Sequence, residues 1–269
     1  EESVLRLFTA GWIPGLLLAG CFMGWIMIDT KLHPELIPES ERALKNVALS
    51  VRIAALKELG PAMFLIVCVI GSMYAGVATP TEAAALGVLG AFIVSYLQTG
   101  LNWQILRDVA IGTVQSCSMM GLIILGASIL GNVTAALGVP DAVAKVVSSW
   151  ELSPLMLIIA LMLLYIVLGT ALEGFSMIAT TLPVVLPLIT AAGFDKVWFG
   201  IFLVLVVEMA QITPPVAFNL SVLQGITGKS MGYLTRVTLP YLFIMMGFVV
   251  LIAVFPGIVL WFPNLVLGR

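Results

Sequence analysis

The sequence predicts an all-α, polytopic membrane protein that contains a re-entrant helical hairpin and a broken helix. Three observations predict it. Of 269 residues, 61% are hydrophobic and 10% charged, and the mean hydropathy is +1.16, a balance far from that of soluble domains. Apolar runs of helical length alternate with short charged or Gly/Pro-containing segments, the pattern of successive spans. Between Gly169 and Asn219, finally, the chain interrupts its own helices in apolar surroundings, which a simple anchor has no reason to do.

The same composition excludes several classes. A net charge of −2 gives no basic field for nucleic acid. Cys21, Cys68 and Cys117 lie within apolar helix patterns without metal or redox spacing, so they read as small core residues. An intramembrane enzyme fits poorly: there is no His-Glu-x-x-His pair, and Asp29, Asp108, Asp141 and Asp195 fall at helix ends. No cofactor is expected. The chain begins with Glu1 and shows no signal-peptide pattern, so it reads as a processed product or a piece of something longer.

Taken in order, Leu5 to Ile28 form a first span containing Pro14. Residues 30–59 form an interfacial arm. Within it, Pro38 to Leu59 places Arg42, Lys45 and Arg52 near one helical face and Leu44, Val47 and Val51 on another. With Lys31 and Lys57 this region gathers five of the twelve basic residues, placing it on the cytoplasmic side. Residues 60–152 supply scaffold and connecting helices: Pro61 to Val77 leaves the cytoplasm and Glu82 to Leu97 returns. The apolar run Val109 to Leu137 would be about 43 Å long as a helix. That exceeds the hydrocarbon core, so it is tilted or interrupted, with Gly121, Gly126 and Gly131 as candidate bends. Asp141 to Trp150 reads as interfacial.

Residues 153–228 form the candidate transport core. Ser153 and Pro154 make an N-cap and first-turn pair that opens a hairpin over 153–192. Its arms are short of the ~20 residues a comfortable span needs, and Gly169, Thr170, Glu173, Gly174 and Ser176 interrupt it. After a turn at Gly193 to Asp195, the broken helix 197–228 meets Gln211, Ile212, Thr213, Pro214 and Pro215. Two prolines offer no amide hydrogen to the carbonyls of Ala210 and Gln211, so these oxygens leave the ladder. Lipid cannot satisfy them, and such breaks survive where backbone lines a wet cavity, the usual place of a transporter's ion and substrate sites. Freed carbonyls and hydroxyls suit sodium; amide ends of half-helices suit an anion. Residues 229–269 hold the last helix, Thr238 to Trp261. Thr9 precedes Pro14, and Thr235 precedes Pro240, by the same five residues in oppositely directed helices, a faint sign of an inverted repeat.

Each candidate has a bland counterpart. Glu173, an acid at the hairpin tip, either serves function or is solvated near water. Thr170, Ser176 and Thr180 supply oxygens or bond carbonyls of the preceding turn. Gln211, Thr213, Pro214 and Asn219 line the cavity; Glu208 either joins them or bonds within the bundle. Glu82 has a structural reading, because Thr79, Pro80 and Glu82 match a capping box. His33 reads as solvated, and the six tryptophans as mostly interfacial.

At Gly71-Ser72-Met73-Tyr74-Ala75-Gly76-Val77-Ala78-Thr79-Pro80-Thr81-Glu82-Ala83, at Val197-Trp198-Phe199-Gly200-Ile201, and at Glu208 to Asn219 with its Thr-Pro-Pro-Val-x-x-Asn core, the chain resembles the large membrane subunit of tripartite ATP-independent periplasmic (TRAP) transporters. The likeness runs over nearly the whole chain and covers the C-terminal half of such a subunit. Residues 1–29 resemble the last helix of the N-terminal half. The resemblance implies half of an inverted-repeat, elevator-type ion-transporter fold, the segment 38–59 being the arm between moving and static parts. It further implies sodium-coupled uptake of an organic anion, such as a C4-dicarboxylate or sialic acid, in a bacterial inner membrane. Implied partners are a periplasmic substrate-binding protein, a small four-helix membrane subunit, the N-terminal half of the large subunit and the lipid. The sodium site would use Gly169, Thr170, Glu173, Ser176, Gln211, Thr213 and Pro214, with an acid at position 173 associated with a second sodium; Thr180, Pro215 and Asn219 would face substrate. Two other readings remain: a sodium-coupled carrier of another family working without a binding protein, and a purely structural membrane subunit.

Overall fold

The computed structural model describes residues 3–34, 59–98, 100–150, 152–214 and 217–267, leaving aside the side chains of Asp141, Ser148 and Phe218. The arm segment up to residue 58, and Pro215, therefore lie outside the described residues. Among those described there are eleven α-helices and no strand: α1 Val4–Leu32, α2 Gly60–Tyr74, α3 Pro80–Gln98, α4 Trp103–Ala136, α5 Val139–Ser149, α6 Pro154–Gly169, α7 Gly174–Ala191, α8 Lys196–Gln211, α9 Phe218–Thr227, α10 Met231–Val254 and α11 Gly257–Leu267. By length and composition α1, α3, α4, α7 and α10 can cross a membrane, and α2, α6 and α11 are shorter apolar helices. The chain is an all-α polytopic membrane protein.

It divides into two compact units, residues 24–115 and residues 1–23 with 116–269. In the first, α2 packs on α3 through small residues. Ala83 is fully buried, and a methyl group on Gly87 or Gly90 would come within 2.9 Å of Val69 or 2.5 Å of Leu65. Small residues at a helix–helix seam let backbones approach where lipid offers no hydrophobic drive for association. The expected span to Val77 ends earlier, at Tyr74, because Gly76 adopts φ +68°. Its amide donates to Met73 O (3.1 Å) and that of Val77 to Ser72 O (3.0 Å), the paired bonds of a Schellman turn.

The start of α3 settles Glu82. Its Oε2 accepts from the Thr79 amide (2.8 Å) and from the Thr79 hydroxyl (2.8 Å), while its own amide points to Thr79 Oγ1 at 3.4 Å. This is the capping box the sequence predicts. Glu82→Ala removes one half of the capping box and is expected to lower the midpoint of thermal unfolding slightly, and to leave the ligand response of the other unit unchanged, as thermal unfolding with and without sodium would read.

In the second unit α8 runs through the middle. It packs against α6, α7, α10 and α11, and of its residues from Val197 to Ala210 only Val204 and Glu208 are exposed. A helix apolar on all sides belongs in an interior. Asp195 starts it, Oδ1 accepting from the amides of Val197 (2.7 Å) and Trp198 (3.3 Å). Leu7 of α1 lies against Gly200, where a Cβ would collide with it. Thr9 and Thr235 both return their hydroxyls to carbonyls four residues earlier, at 2.7 and 2.9 Å.

Several expectations change. Helix α4 runs unbroken for 34 residues, so Gly121, Gly126 and Gly131 do not interrupt it: a helical glycine costs about 1 kcal/mol yet keeps its hydrogen bonds. The expected last helix is two, α10 and α11, separated at Phe255 and Pro256, since proline cannot extend the ladder. Cys21 and Cys117 are exposed and Cys68 half-buried, not core residues; an apolar helix in lipid has no need to hide small apolar side chains. His33 is exposed, as expected, and its Nδ1 also lies 3.2 Å from Asp29 Oδ1 one turn earlier. Trp198, finally, is fully buried rather than interfacial.

Candidate functional site

The hairpin and the broken helix meet inside one unit. Ser153 caps α6 by accepting from the Met156 amide at 3.3 Å, with Pro154 in the first turn. The arms have 16 and 18 residues, roughly 24 and 27 Å against a hydrocarbon core of about 30 Å; the first is too short to cross comfortably, whereas the second is just long and apolar enough to do so. Tyr165, fully buried in α6, ties them together: its hydroxyl lies 2.7 Å from Thr181 Oγ1, and Thr181 itself donates to Met177 O at 2.8 Å. With the threonine proton committed, Tyr165 must be the donor.

Residues 170–173 form the tip. Gly169 sits directly on Ala210 of α8, leaving no room for a Cβ, and a Cβ on Gly174 would lie 2.6 Å from both Gln211 Nε2 and Val207 Cγ1. The two glycines flanking the tip are thus the points at which it touches the end of α8. Glu173 is exposed and caps α7, its carboxylate accepting from the amides of Phe175 (3.1 Å) and Ser176 (3.2 Å) and approaching the Ser176 hydroxyl at 3.4 Å. That is a third role, beyond cation ligand or idle solvated acid, and it places a negative charge where the helix dipole favours one.

At the break, α8 ends at Gln211. The Ala210 carbonyl, expected to be free, instead accepts from the Thr213 amide at 3.2 Å, and Met209 O accepts from the Ile212 amide at 3.3 Å. The helix end tightens into i→i+3 bonds that recover an oxygen the prolines strand. Thr213 gives its hydroxyl proton to Met209 O at 2.7 Å, and Thr170 and Thr180 do likewise with Val167 O (2.7 Å) and Ser176 O (2.8 Å). A hydroxyl whose proton is so committed still directs its lone pairs elsewhere, which is the state a cation requires. Beyond the break Ala217 begins α9 in the left-handed region, φ 42° and ψ 60°, with no side-chain cap. Among the described residues it is the non-glycine with positive φ, fully buried, and strained by roughly 1–2 kcal/mol. Asn219, the candidate substrate contact, donates through Nδ2 to Glu208 Oε1 at 2.9 Å, so Glu208 does bond within the bundle.

The structure therefore seats Gly169 on Ala210 and Gly174 on Gln211, with Thr170 and Glu173 on the tip, Ser176 in the first turn of α7, and Thr213 and Pro214 just past the end of α8. Thr180 lies farther along α7, and Pro215 lies outside the described residues. The seam opens to one side, with Glu173 and Pro214 exposed. Sequence reasoning did not find Gly174, Val207 and Ala210 as the seat of the tip, nor Tyr165 as its brace. The signal for the seat was a pair of glycines five apart around an acidic turn. Among the described residues no cluster of three His, Cys, Asp or Glu side chains could hold a metal. The oxygen groups named above are main-chain, hydroxyl and amide oxygens and the Glu173 carboxylate, donor types that suit a hard cation rather than zinc or iron.

Comparison with known proteins adds to this geometry. Residues 1–258 match the family described as tripartite ATP-independent periplasmic transporter, DctM component. The chain is 34% identical over 268 residues to the C4-dicarboxylate TRAP transporter large permease protein DctM of Rhodobacter capsulatus, covering 98% of this chain and 59% of that protein. It is 30% identical over 271 residues to the sialic acid TRAP transporter large permease protein SiaM of Vibrio cholerae, covering 100% of this chain and 62% of that one. It is also 27% identical over 265 residues to the isethionate TRAP transporter permease protein DctMQ of Oleidesulfovibrio alaskensis, covering 98% and 41%. The chain thus spans about three-fifths of the length of the DctM and SiaM relatives.

Proposed function

Because this chain belongs to the DctM component family of tripartite ATP-independent periplasmic transporters, integral proteins of the bacterial inner membrane, we propose that it forms the ion-coupling part of a secondary transporter that takes up an organic carboxylate together with sodium. The observation that carries the reading is the seat of the hairpin tip on the end of a broken helix, Gly169 on Ala210 and Gly174 on Gln211. Two interruptions of helix at apolar depth are each expensive. Two that meet repay the cost when the backbone between them binds something.

In this reading sodium is held by oxygens of Gly169, Thr170, Gln211, Thr213 and Pro214. Glu173 and Ser176 support it from the tip, the acid fixing the start of α7 and adding negative charge. The carboxylate substrate binds toward Thr180, Pro215 and Asn219. The exposed side of the seam faces the rest of the large subunit. A small membrane subunit and a periplasmic binding protein complete the system, and the hairpin unit moves as an elevator. The names of the C4-dicarboxylate and sialic acid relatives support a carboxylate substrate; isethionate, named for the third, is a sulfonate, and the three agree on an organic anion.

The test is uptake by the full-length large subunit, reconstituted in vesicles with its small membrane subunit and candidate binding proteins. Accumulation of labelled C4-dicarboxylate or sialic acid is expected to require both an inward sodium gradient and the matching binding protein. Uptake sustained by a proton gradient alone would overturn the choice of ion. Uptake without any binding protein would favour a carrier that works alone.

A further inference from the structure

We propose that Glu208 and Asn219 are a positioning pair, a strut that fixes the direction of α9 relative to α8 across the break. The two half-helices belong to different hydrophobic clusters. From Val197 to Ala210, α8 is built into the large one, with Trp198, Phe202, Val206 and Met209 at its centre. Helix α9 joins a small one of Ala217, Leu220 and Leu234, against which Met231 packs. Helix α10 serves both, giving Leu234 to the small cluster and Met245, Phe248, Val249 and Ile252 to the large one, so among the described residues α9 is set against α8 by way of a third helix rather than through a core the two share. Among the described residues, the backbone bonds near the break stay on their own sides: Thr213 N to Ala210 O, and Ser221 N to Ala217 O. The bond from Asn219 Nδ2 to Glu208 Oε1, 2.9 Å long and eleven residues apart in sequence, crosses it.

Charge favours the same arrangement. Glu208 lies in the last turn of α8, where an acid opposes the helix dipole. Asn219 lies in the first turn of α9, whose cap residue Ala217 supplies no side-chain acceptor. Bonding to Asn219 carries the carboxylate to that uncapped, positive end and makes an ion–amide hydrogen bond stronger than a neutral one. The strained φ of Ala217 is the complementary sign: the turn between the half-helices is held where the chain alone would not rest. The pair acts on sodium only through the shape of the break, so its consequence for transport rests on the function proposed above. Its geometric role does not.

The experiment separates the two. Val204 on α8 and Ile226 on α9 are both exposed. Val204→Cys and Ile226→Cys, in an otherwise cysteine-free full-length protein, accept nitroxide labels whose separation is read by double electron–electron resonance without and with sodium. The parent and Glu208→Gln, which keeps a carbonyl acceptor for Asn219, are expected to give one narrow distance distribution. Glu208→Ala and Asn219→Ala are each expected to broaden it at least about twofold, and the double variant no more than either single, as two halves of one interaction must. A distribution unchanged in Glu208→Ala, or Glu208→Gln as broad as Glu208→Ala, overturns the strut. The apparent sodium affinity is measured beside it, and a loss of about fivefold in Glu208→Ala, restored in Glu208→Gln, is expected for one net hydrogen bond. Broadening without any change in sodium affinity keeps the strut and removes the sodium site from this break.

Discussion

Trp198→Ala is expected to lower the stability of the protein by about 3–5 kcal/mol, the range of large aromatic truncations in a packed interior. Trp198 is fully buried, stacked on Phe194 at 4.5 Å and on Phe202 at 5.8 Å between ring centroids. In lipid the gain from such packing is dispersion rather than release from water, so the empty volume left by alanine is a direct loss of contacts. A second loss is polar. Trp198 Nε1–H donates to Ile252 O at 2.9 Å, and the residue four positions after Ile252, which would ordinarily supply the helical amide, is Pro256. The indole thus satisfies a carbonyl that a proline strands. Trp198→Phe separates the contributions: it keeps most of the stacking and leaves that carbonyl unpaired, for an expected cost of about 1–3 kcal/mol. Unfolding of the detergent-solubilised protein, followed by temperature or by denaturing detergent, measures both. Equal losses in the two variants would mean that the hydrogen bond, not the ring packing, dominates.

That dependence also marks where the sequence stops being readable. Signals that act within about four residues were legible: Ser153 with Pro154, Thr79 with Glu82, the Gly193 to Asp195 turn, and the helix ends around the double proline. Each is a local exchange of hydrogen-bonding groups, and each is visible in the spacing of a few side chains. The all-α membrane class was legible for a similar reason, since 61% hydrophobic residues leave little else. Trp198 was not, because a tryptophan near a helix start looks the same whether it faces a lipid headgroup or a partner 54 positions away. The cysteines were misread by carrying a water-soluble rule, apolar means interior, into a solvent where apolar means either. At the break, sequence logic subtracted the proline amides correctly, yet overlooked that Thr213 could turn back to Ala210 by one residue less. Glu173 shows the limit from the other side. Its place at the tip was legible, but an acid that caps a helix and an acid that binds a cation share the same sequence, and only the positions of the Phe175 and Ser176 amides distinguish the first role.

Gly169→Ala is the substitution expected to act most directly on the site. The new methyl would collide with Ala210 Cβ and lie 2.8 Å from Ala210 Cα and 3.2 Å from its carbonyl carbon. These are backbone atoms of a helix buried on nearly all sides, so the hairpin rather than α8 must give way. Overpacking of this kind costs about 1–3 kcal/mol in stability. The larger consequence is geometric, because lifting the tip separates Gly169 and Thr170 from Gln211 and Thr213, and sodium-driven uptake is expected to fall by at least about a hundredfold, as displacements near 1 Å can produce. Gly174→Ala supplies the graded comparison. Its methyl meets side-chain rather than backbone atoms, Gln211 Nε2 and Val207 Cγ1, each at 2.6 Å; the long Gln211 can swing aside while Val207, β-branched and in a helix, has little freedom at χ1, so its effect should be smaller than that of Gly169→Ala but not absent. Gly169→Ala combined with Ala210→Gly removes the collision with the Cβ but leaves the methyl 2.8 Å from the Cα at position 210, so it is expected to recover sodium-driven uptake in part, although the added helical glycine costs about 1 kcal/mol of stability. Full uptake by Gly169→Ala alone would show that the tip need not sit on α8. Uptake by the double variant above that of Gly169→Ala would show that the space above Ala210 is what Gly169 protects.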